Sequence, residues 1–452
     1  MSATDARLAA MQPSSATGAR IPRADLPPGP RWPALAQTIA FSPLRHRFLP
    51  AMHRRYGDTF TVRTLPRMTF VMVSKPADVR EVFAGDPAVF HAGKGNGVLG
   101  PVMGQHSLLL QDTDEHKRAR RLLMPAFAAR ALDGYAGMVA EIAAAEAERW
   151  EPGVPFRALE RMNALTLDVI LRVVFGVTDE DRLAELRPPV ERTVAISPVV
   201  LMGWGYPRLQ RLGLWKRAVA NQRELDRVMF AEIAERRAAT DLGSRSDVLS
   251  RLLTETPEGE GLDDVELRDQ LVTLLLAGHE TTASALSWAL HELAGDRVLH
   301  DRARAAARDG DDGYLEAVLK EAMRLHPVIP MVVRQLVEPA TIGGWDLPAG
   351  VFVAPSIILA HANGDAHPEP ERFRPERFLE GEVAPNTWIP FGGGVRRCIG
   401  AGFSLMEGVV VLREVLRRYD VSRPPRTRER PKVRNITTVP AHGARIVVTP
   451  AR

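Results

Sequence analysis

The chain has 452 residues, 45% of them hydrophobic and 25% charged, with a formal net charge of +4 and one cysteine. That is the balance of a globular protein with room for a large core. A single cysteine excludes an internal disulfide and any zinc or iron–sulfur site built from several thiolates, and arginines scattered without an aromatic-interleaved basic stripe leave nucleic-acid binding unsupported.

Residues 1–25 are polar and lack the apolar core of a signal peptide, so a disordered tail and a cytoplasmic location are expected. LPPGP (26–30) opens the ordered chain with stiff turn chemistry, and no Pro/Gly-rich linker follows, which predicts one domain over 26–452. TFTVRT (59–64) and TFVMVS (69–74) alternate like two strands. PADVREVFAG (76–85) reads as a short helix, and HAGKGNGVLGPVMGQHSLLLQD (91–112) as a glycine-rich loop. From there to about residue 325 the chain is mainly helical, with helical spacing in LTLDVILRVVFG (165–176) and VLSRLLTE (248–255).

The longest helix starts after Asp263, an N-cap with Glu266 three residues on, as in a capping box. Its apolar pattern runs to about 294, some 30 residues or roughly 45 Å. Being apolar nearly all round, it belongs in the core. Its most apolar stretch, LVTLLLAG (271–278), is far short of the roughly 20 residues of a membrane span. Gly278, Thr281 and Thr282 are weak helix formers at its centre and point to a bend. Beyond 326 prolines are dense, and MVVRQLV (331–337), FVAPSII (352–358) and ARIVVTP (444–450) predict minor β-structure. A last long helix spans 399–420. The fold class is mainly α: a large helical domain with small β-sheets in its N-terminal and C-terminal parts.

The sole cysteine, Cys398, sits in FGGGVRRCIG (391–400). A lone cysteine is usually a small buried hydrophobe. Here Gly392, Gly393 and Gly394 let the backbone approach a bulky ligand. Arg396, Arg397 and the N-terminus of the following helix favour a thiolate. A cysteine-dependent phosphatase loop needs an arginine at 404, which is serine, and a dinucleotide loop needs a glycine at 397, which is arginine. A thiol protease, with a histidine brought close in space, stays open. So does a metal thiolate whose cofactor carries carboxylates for the arginines, as haem does.

FGGGVRRCIG resembles the FxxGxRxCxG loop of the cytochromes P450, with Phe391, Gly394, Arg396, Cys398 and Gly400 on the motif positions. Three further motifs follow the family's order and spacing, over roughly residues 30–450. AGHETT (277–282) resembles the oxygen-activation motif: Glu280 and Thr281 are its acid–alcohol pair, which delivers protons to bound dioxygen, and Ala277 and Gly278 leave room for oxygen and substrate. A zinc HExxH reading of His279–Glu280 fails because residue 283 is alanine. LKEAMRLHP (319–327) and FRPERF (373–378) resemble the family's structural ion network, which implies that Glu321, Arg324 and Arg377 brace the cysteine loop. DEHKRARR (114–121) and VVRQ resemble propionate-binding segments, which implies that His116, Arg120 and Arg334 join Arg396 around the cofactor's carboxylates.

The resemblance implies haem b with Cys398 as axial ligand and insertion of one oxygen atom of O2 into a substrate. The segments placed on the substrate side are apolar, implying a fatty acid, terpenoid, steroid or aromatic compound. The aromatic and basic residues of 196–217, among them Trp204, Tyr206 and Trp215, suit a channel lid or a membrane surface. No flavin or nicotinamide domain is visible, so electrons are expected from a ferredoxin or flavodoxin with its reductase. Arg397, Arg413, Arg417, Arg418 and the HKRARR run would form its basic docking face. A monomer is expected. A peroxide-driven peroxygenase, a non-catalytic haem sensor and a non-haem thiol enzyme are the rival readings.

Overall fold

The computed structural model describes residues 21–451 apart from 24, 178, 195–199, 201–210, 255–260 and 426. Residues 1–20 of the expected tail, and Trp204 and Tyr206, lie outside the described residues. Helices dominate and the sheets are small, as the apolar spacing predicted. The chain divides into two compact units, each assembled from separate stretches: His91–Tyr135 with Leu167–His279, and Thr17–Phe90 with Ala136–Thr166 and Glu280–Arg452.

In the second unit, strands β1 (Thr59–Thr64) and β2 (Met68–Val73) form an antiparallel hairpin. Strand β3 (Arg334–Leu336) pairs antiparallel with β4 (Phe352–Pro355), and β4 pairs parallel with β2. Both faces of this sheet are covered, which is why its strands are apolar runs rather than strict alternations. Val71, Val73 and Val353 face one cluster with Val79 and Val82, and Phe60, Phe70 and Phe352 face the other with Phe48 and Leu49. Phe70 meets Phe352 at 5.4 Å between ring centroids. Each such buried side chain stabilises the fold by about 1.5–3 kcal/mol. FVAPSII leaves the sheet early: Ser356 caps Leu359 N–H, and Ile357–His361 is a short helix. A serine hydroxyl offers the backbone N–H an alternative to the ladder, so the strand ends there.

In the first unit, the expected loop 91–112 contains short helical turns at Ala92–Gly95, Gly97–Leu99 and Gly100–Met103. It is pinned to the long helix. That helix spans Asp264–Leu293 without a break, so its weak formers do not interrupt it. Its capping box is formed as expected: Asp263 N–H donates to Glu266 at 3.0 Å, and Glu266 N–H to Asp263 at 2.8 Å. One turn on, Arg268, Asp226 and Asp269 are buried as an ion triad, with Arg268 2.7 Å from Asp226 and 2.8 Å from Asp269. Asp269 also accepts from His106 N–H at 3.0 Å, Gln270 accepts from Leu108 N–H at 3.0 Å, and Thr273 donates to Ser107 at 2.7 Å. Gly104 has φ +92°, and a Cβ there would lie 1.9 Å from the Asp269 carboxylate. Buried charges persist only when paired in this way, and LRDQ inside an apolar helix is their trace in the sequence.

Candidate functional site

The cysteine loop lies in the second unit and is closed by its own backbone. Cys398 N–H donates to Phe391 C=O at 2.9 Å, and Arg397 N–H to Gly394 C=O at 3.1 Å. Gly392 and Gly394 take φ of +65° and +64°, where L side chains are strained. The glycines also serve packing. A Cβ on Gly393 would lie 2.2 Å from the Phe83 ring, and one on Gly394 2.0 Å from the Phe83 carbonyl oxygen. The GGG run therefore lets this loop sit directly on the helix Pro76–Ala84, a reason that spacing alone did not reveal. Cys398 itself is exposed. A Cβ on Gly400 would meet no atom within 4 Å, and the helix Ala401–Arg418 follows at once. A thiol presented at a loop tip beside open space and a helix N-terminus is a donor set that fits a large metal cofactor and its thiolate bond.

The loop is braced from behind. Phe391 packs edge-on against Trp388 at 6.0 Å, and Trp388 against Phe378 at 5.5 Å. Trp388 Nε1 donates to Lys320 C=O at 3.3 Å, one residue before Glu321. Glu321 accepts from Arg324 at 2.7 and 2.8 Å, from Arg377 Nε at 3.1 Å and from Arg374 N–H at 2.9 Å. Arg324 also donates to the carbonyls of His361, Pro370 and Arg372 at 2.8–3.1 Å. Glu321 is 0% and Arg324 2% exposed, so full pairing is what makes this burial tolerable. The three residues singled out by motif thus meet in one cluster, which ties the helix Asp312–Leu325 to the segment 361–377. His361 is fully buried, and desolvation lowers its pKa to about 3. Its neutral Nε2 accepts from Ile389 N–H at 2.9 Å, two residues before Phe391.

On the long helix, Glu280 is buried, and desolvation raises its pKa despite Arg434 and Thr437. Arg434 Nε is 3.2 Å from Glu280 Oε1 and is itself 39% exposed, so the acid is buried but linked to a group that reaches water. Both partners sit on the C-terminal hairpin of Pro431–Arg434 and Thr437–Pro440. Thr281 is half-buried and Thr282 buried. Thr282 Oγ1 is hydrogen-bonded to Ser404 Oγ at 3.1 Å. One turn along from Ser404, Glu407 is fully buried. Burial pushes its pKa up to about 8, offset in part by Thr282. Arg434, Ser404 and Glu407 escaped the sequence reading. A lone glutamate inside LMEGVVVL was the available signal for Glu407, whereas nothing local marks Arg434.

Arg334 is buried in β3 and donates to Val333 C=O at 2.9 Å, and Arg396 is half-buried in the cysteine loop. The remaining candidates belong to the first unit. His116 is buried and Arg120 half-buried on the helix Thr113–Leu123. Gly278 has a packing role: a Cβ there would lie 2.8 Å from Ile170. Just before it, Leu276 joins Val102, Val200, Ala218 and Val219 in an apolar cluster that includes Trp215. Trp215 Nε1 donates to Val200 C=O at 3.0 Å, so this aromatic is packed inward. Several arginines expected on a basic docking face have partners within the chain. Arg413 pairs with Asp312 at 2.7 Å, Arg418 with Glu414 at 2.5 Å and Arg118 with Glu266 at 2.8 Å, and Arg417 donates to Ala307 C=O.

The family model for cytochrome P450 matches residues 26–446. Cytochrome P450 135A1 of Mycobacterium tuberculosis is 53% identical over 430 residues, covering 94% of this chain and 96% of the relative. Cytochrome P450 135B1 of Mycobacterium bovis is 44% identical over 436 residues, covering 94% and 92%. Among solved structures, the retinoic acid-bound cyanobacterial CYP120A1 superposes with TM-score 0.80 at 25% identity, covering 94% of this chain and 100% of that one. A match over nearly the whole chain, on a fold carrying the cysteine loop and its buried ion cluster, makes this protein a member of the cytochrome P450 family, monooxygenases whose haem iron is bound by a cysteine thiolate.

Proposed function

We propose that the chain oxidises an apolar small molecule by inserting one oxygen atom of O2, with Cys398 as the axial thiolate. The observation that carries this is the exposure of the sole cysteine at the tip of a loop held rigid by its own backbone and by Phe83. Cys398 would hold a haem there, and the haem would supply oxygen activation. Phe391, Gly394, Arg396 and Gly400 shape the loop. Arg396, Arg334, His116 and Arg120 are assigned to the propionates, and Ala277 and Gly278 to the oxygen side of the site. Residues 26–452 act as one P450 domain in this reading, in keeping with a family match that begins at residue 26.

Glu280 and Thr281 carry the proton delivery. A buried carboxylate with a raised pKa holds its proton nearer neutrality than a solvated one, and its ion pair with half-exposed Arg434 supplies a route by which it reprotonates. Thr281 presents a hydroxyl next to it. Glu321, Arg324 and Arg377 hold the thiolate-bearing loop in place. The apolar cluster at Leu276 and Trp215 supports a hydrophobic substrate. Retinoic acid in the cyanobacterial relative, a long apolar chain with one carboxylate, falls in the class of fatty acids and terpenoids. Electrons come from a separate ferredoxin or flavodoxin. With most basic candidates internally paired, exposed Arg397 and Lys117 are the contacts to test first.

The test is the absorption spectrum of the reduced protein with carbon monoxide. A strongly red-shifted Soret band that disappears in Cys398→Ala is expected; a band typical of histidine ligation overturns the assignment.

A further inference from the structure

The second unit carries a surface that the proposed monooxygenase chemistry does not use. The first turns of the helix Ala34–Tyr56 expose Leu35 (58%) and Ile39 (59%), one turn apart, with Trp32 (46%) just before them. Thr38 lies between, and its hydroxyl accepts from Leu65 N–H at 2.9 Å. That bond brings the turn after β1, with Leu65 47% exposed, alongside the same helix face. Isolated exposed hydrophobics are ordinary; four gathered in one place are not.

Trp32 also borders a cavity of about 630 Å³. Arg23, Arg31, Arg55 and Arg63 line it together with Tyr56, and no carboxylate does. Arg63 donates to Ile21 C=O at 3.2 Å. Arg55 lies 5.5 Å from the Tyr56 ring centroid. Some exposed arginines elsewhere in this chain are matched to acids, as in the pairs of Arg227 and Arg372, so that their charge is locally balanced. Arg23, Arg31 and Arg55 make no ion pair among the described residues. Gathering like charges around one cavity is unfavourable unless an anion is brought between them.

We propose that this face docks on an anionic phospholipid bilayer, the headgroup phosphate entering the arginine-lined cavity while Trp32, Leu35, Ile39 and Leu65 enter the acyl boundary. An acidic protein or a free phosphate would satisfy the arginines but leave the apolar rim in water. A bilayer satisfies both at once, through apolar burial and attraction to anionic lipid. The attachment is peripheral, since among the described residues no helix is long and apolar enough to cross a membrane.

The test is sedimentation of the haem-loaded enzyme with phosphatidylcholine vesicles, with and without phosphatidylglycerol. Binding is expected only with the anionic lipid and is expected to weaken with salt. Arg31→Ala and Arg55→Ala should each weaken it about five-fold, and Ile39→Asp should abolish it. The thermal midpoint and the absorption spectrum should not change, because all three side chains are exposed. Binding of equal strength to neutral vesicles, or anionic binding unchanged in these variants, overturns the proposal. So does absence of vesicle binding with stabilisation by inorganic phosphate alone, which would mark a soluble-anion site.

Discussion

Thr282 and Ser404 are hydrogen-bonded at 3.1 Å, and this bond links the proposed oxygen-activation segment of the long helix to the helix that begins after Cys398. Five residues separate Ser404 from Cys398 in sequence, and Thr282 follows directly on Glu280 and Thr281. Glu407 lies one turn further and is fully buried. The two halves of the proposed chemistry therefore share a polar contact, with the buried carboxyl of Glu407 beside Thr282.

Glu407 makes stability depend on pH. Its pKa is about 8 in the fold against an ordinary 4.5, so the native state holds a proton that the unfolded chain releases. The stabilisation is complete below about pH 4.5 and is lost as pH rises to about 8. The slope through that window approaches about 1.4 kcal/mol per pH unit. Glu407→Gln should remove this component of the slope, so that denaturant unfolding at pH 5 and pH 8 differs less in the variant. Equal pH dependence in both proteins would show that Glu407 does not titrate there.

Gly393 and Gly394 should fail for different reasons. Gly393 has extended backbone, and the three atoms nearest its added Cβ all belong to the Phe83 ring. Gly393→Ala should therefore reduce haem content, and Phe83→Ala in the same chain should restore part of it. Gly394 combines φ +64° with a backbone oxygen 2.0 Å from the added carbon, so Phe83→Ala should not rescue Gly394→Ala. Haem absorbance per protein, with and without Phe83→Ala, separates the two.

Arg324→Ala should be among the most damaging substitutions. It strips Glu321 of a bidentate partner inside the protein and frees three backbone carbonyls. A loss of about 3–5 kcal/mol follows from leaving a buried charge uncompensated. Thermal unfolding of the haem-free and haem-loaded protein measures it. Arg324→Lys should recover little, since one ammonium cannot replace a five-donor fork.

Arg434→Gln should move the pH profile of turnover rather than remove activity. Arg434 lowers the pKa of Glu280 against the larger effect of burial. Without it the pKa rises further, and the limb of the profile that reports Glu280 should shift to higher pH. Substrate binding, measured as a spectral dissociation constant, should stay close to that of the parent protein. An unshifted profile would mean that Glu280 does not limit turnover.

The motif residues were legible in one dimension because each is local. The capping box of Asp263 and Glu266, the hairpin of β1 and β2, and the cysteine loop with its helix all follow from short-range spacing and turn chemistry. Other features depended on chain segments far apart in sequence. Arg434 reaches Glu280 across more than 150 positions, and Gly393 owes its missing side chain to Phe83. Arg413, Arg418 and Arg417 meet Asp312, Glu414 and the Ala307 carbonyl, partners that no local spacing announced. A charge advertises its sign in the sequence, but its partner and its pKa are set by burial and proximity, which only the folded chain decides.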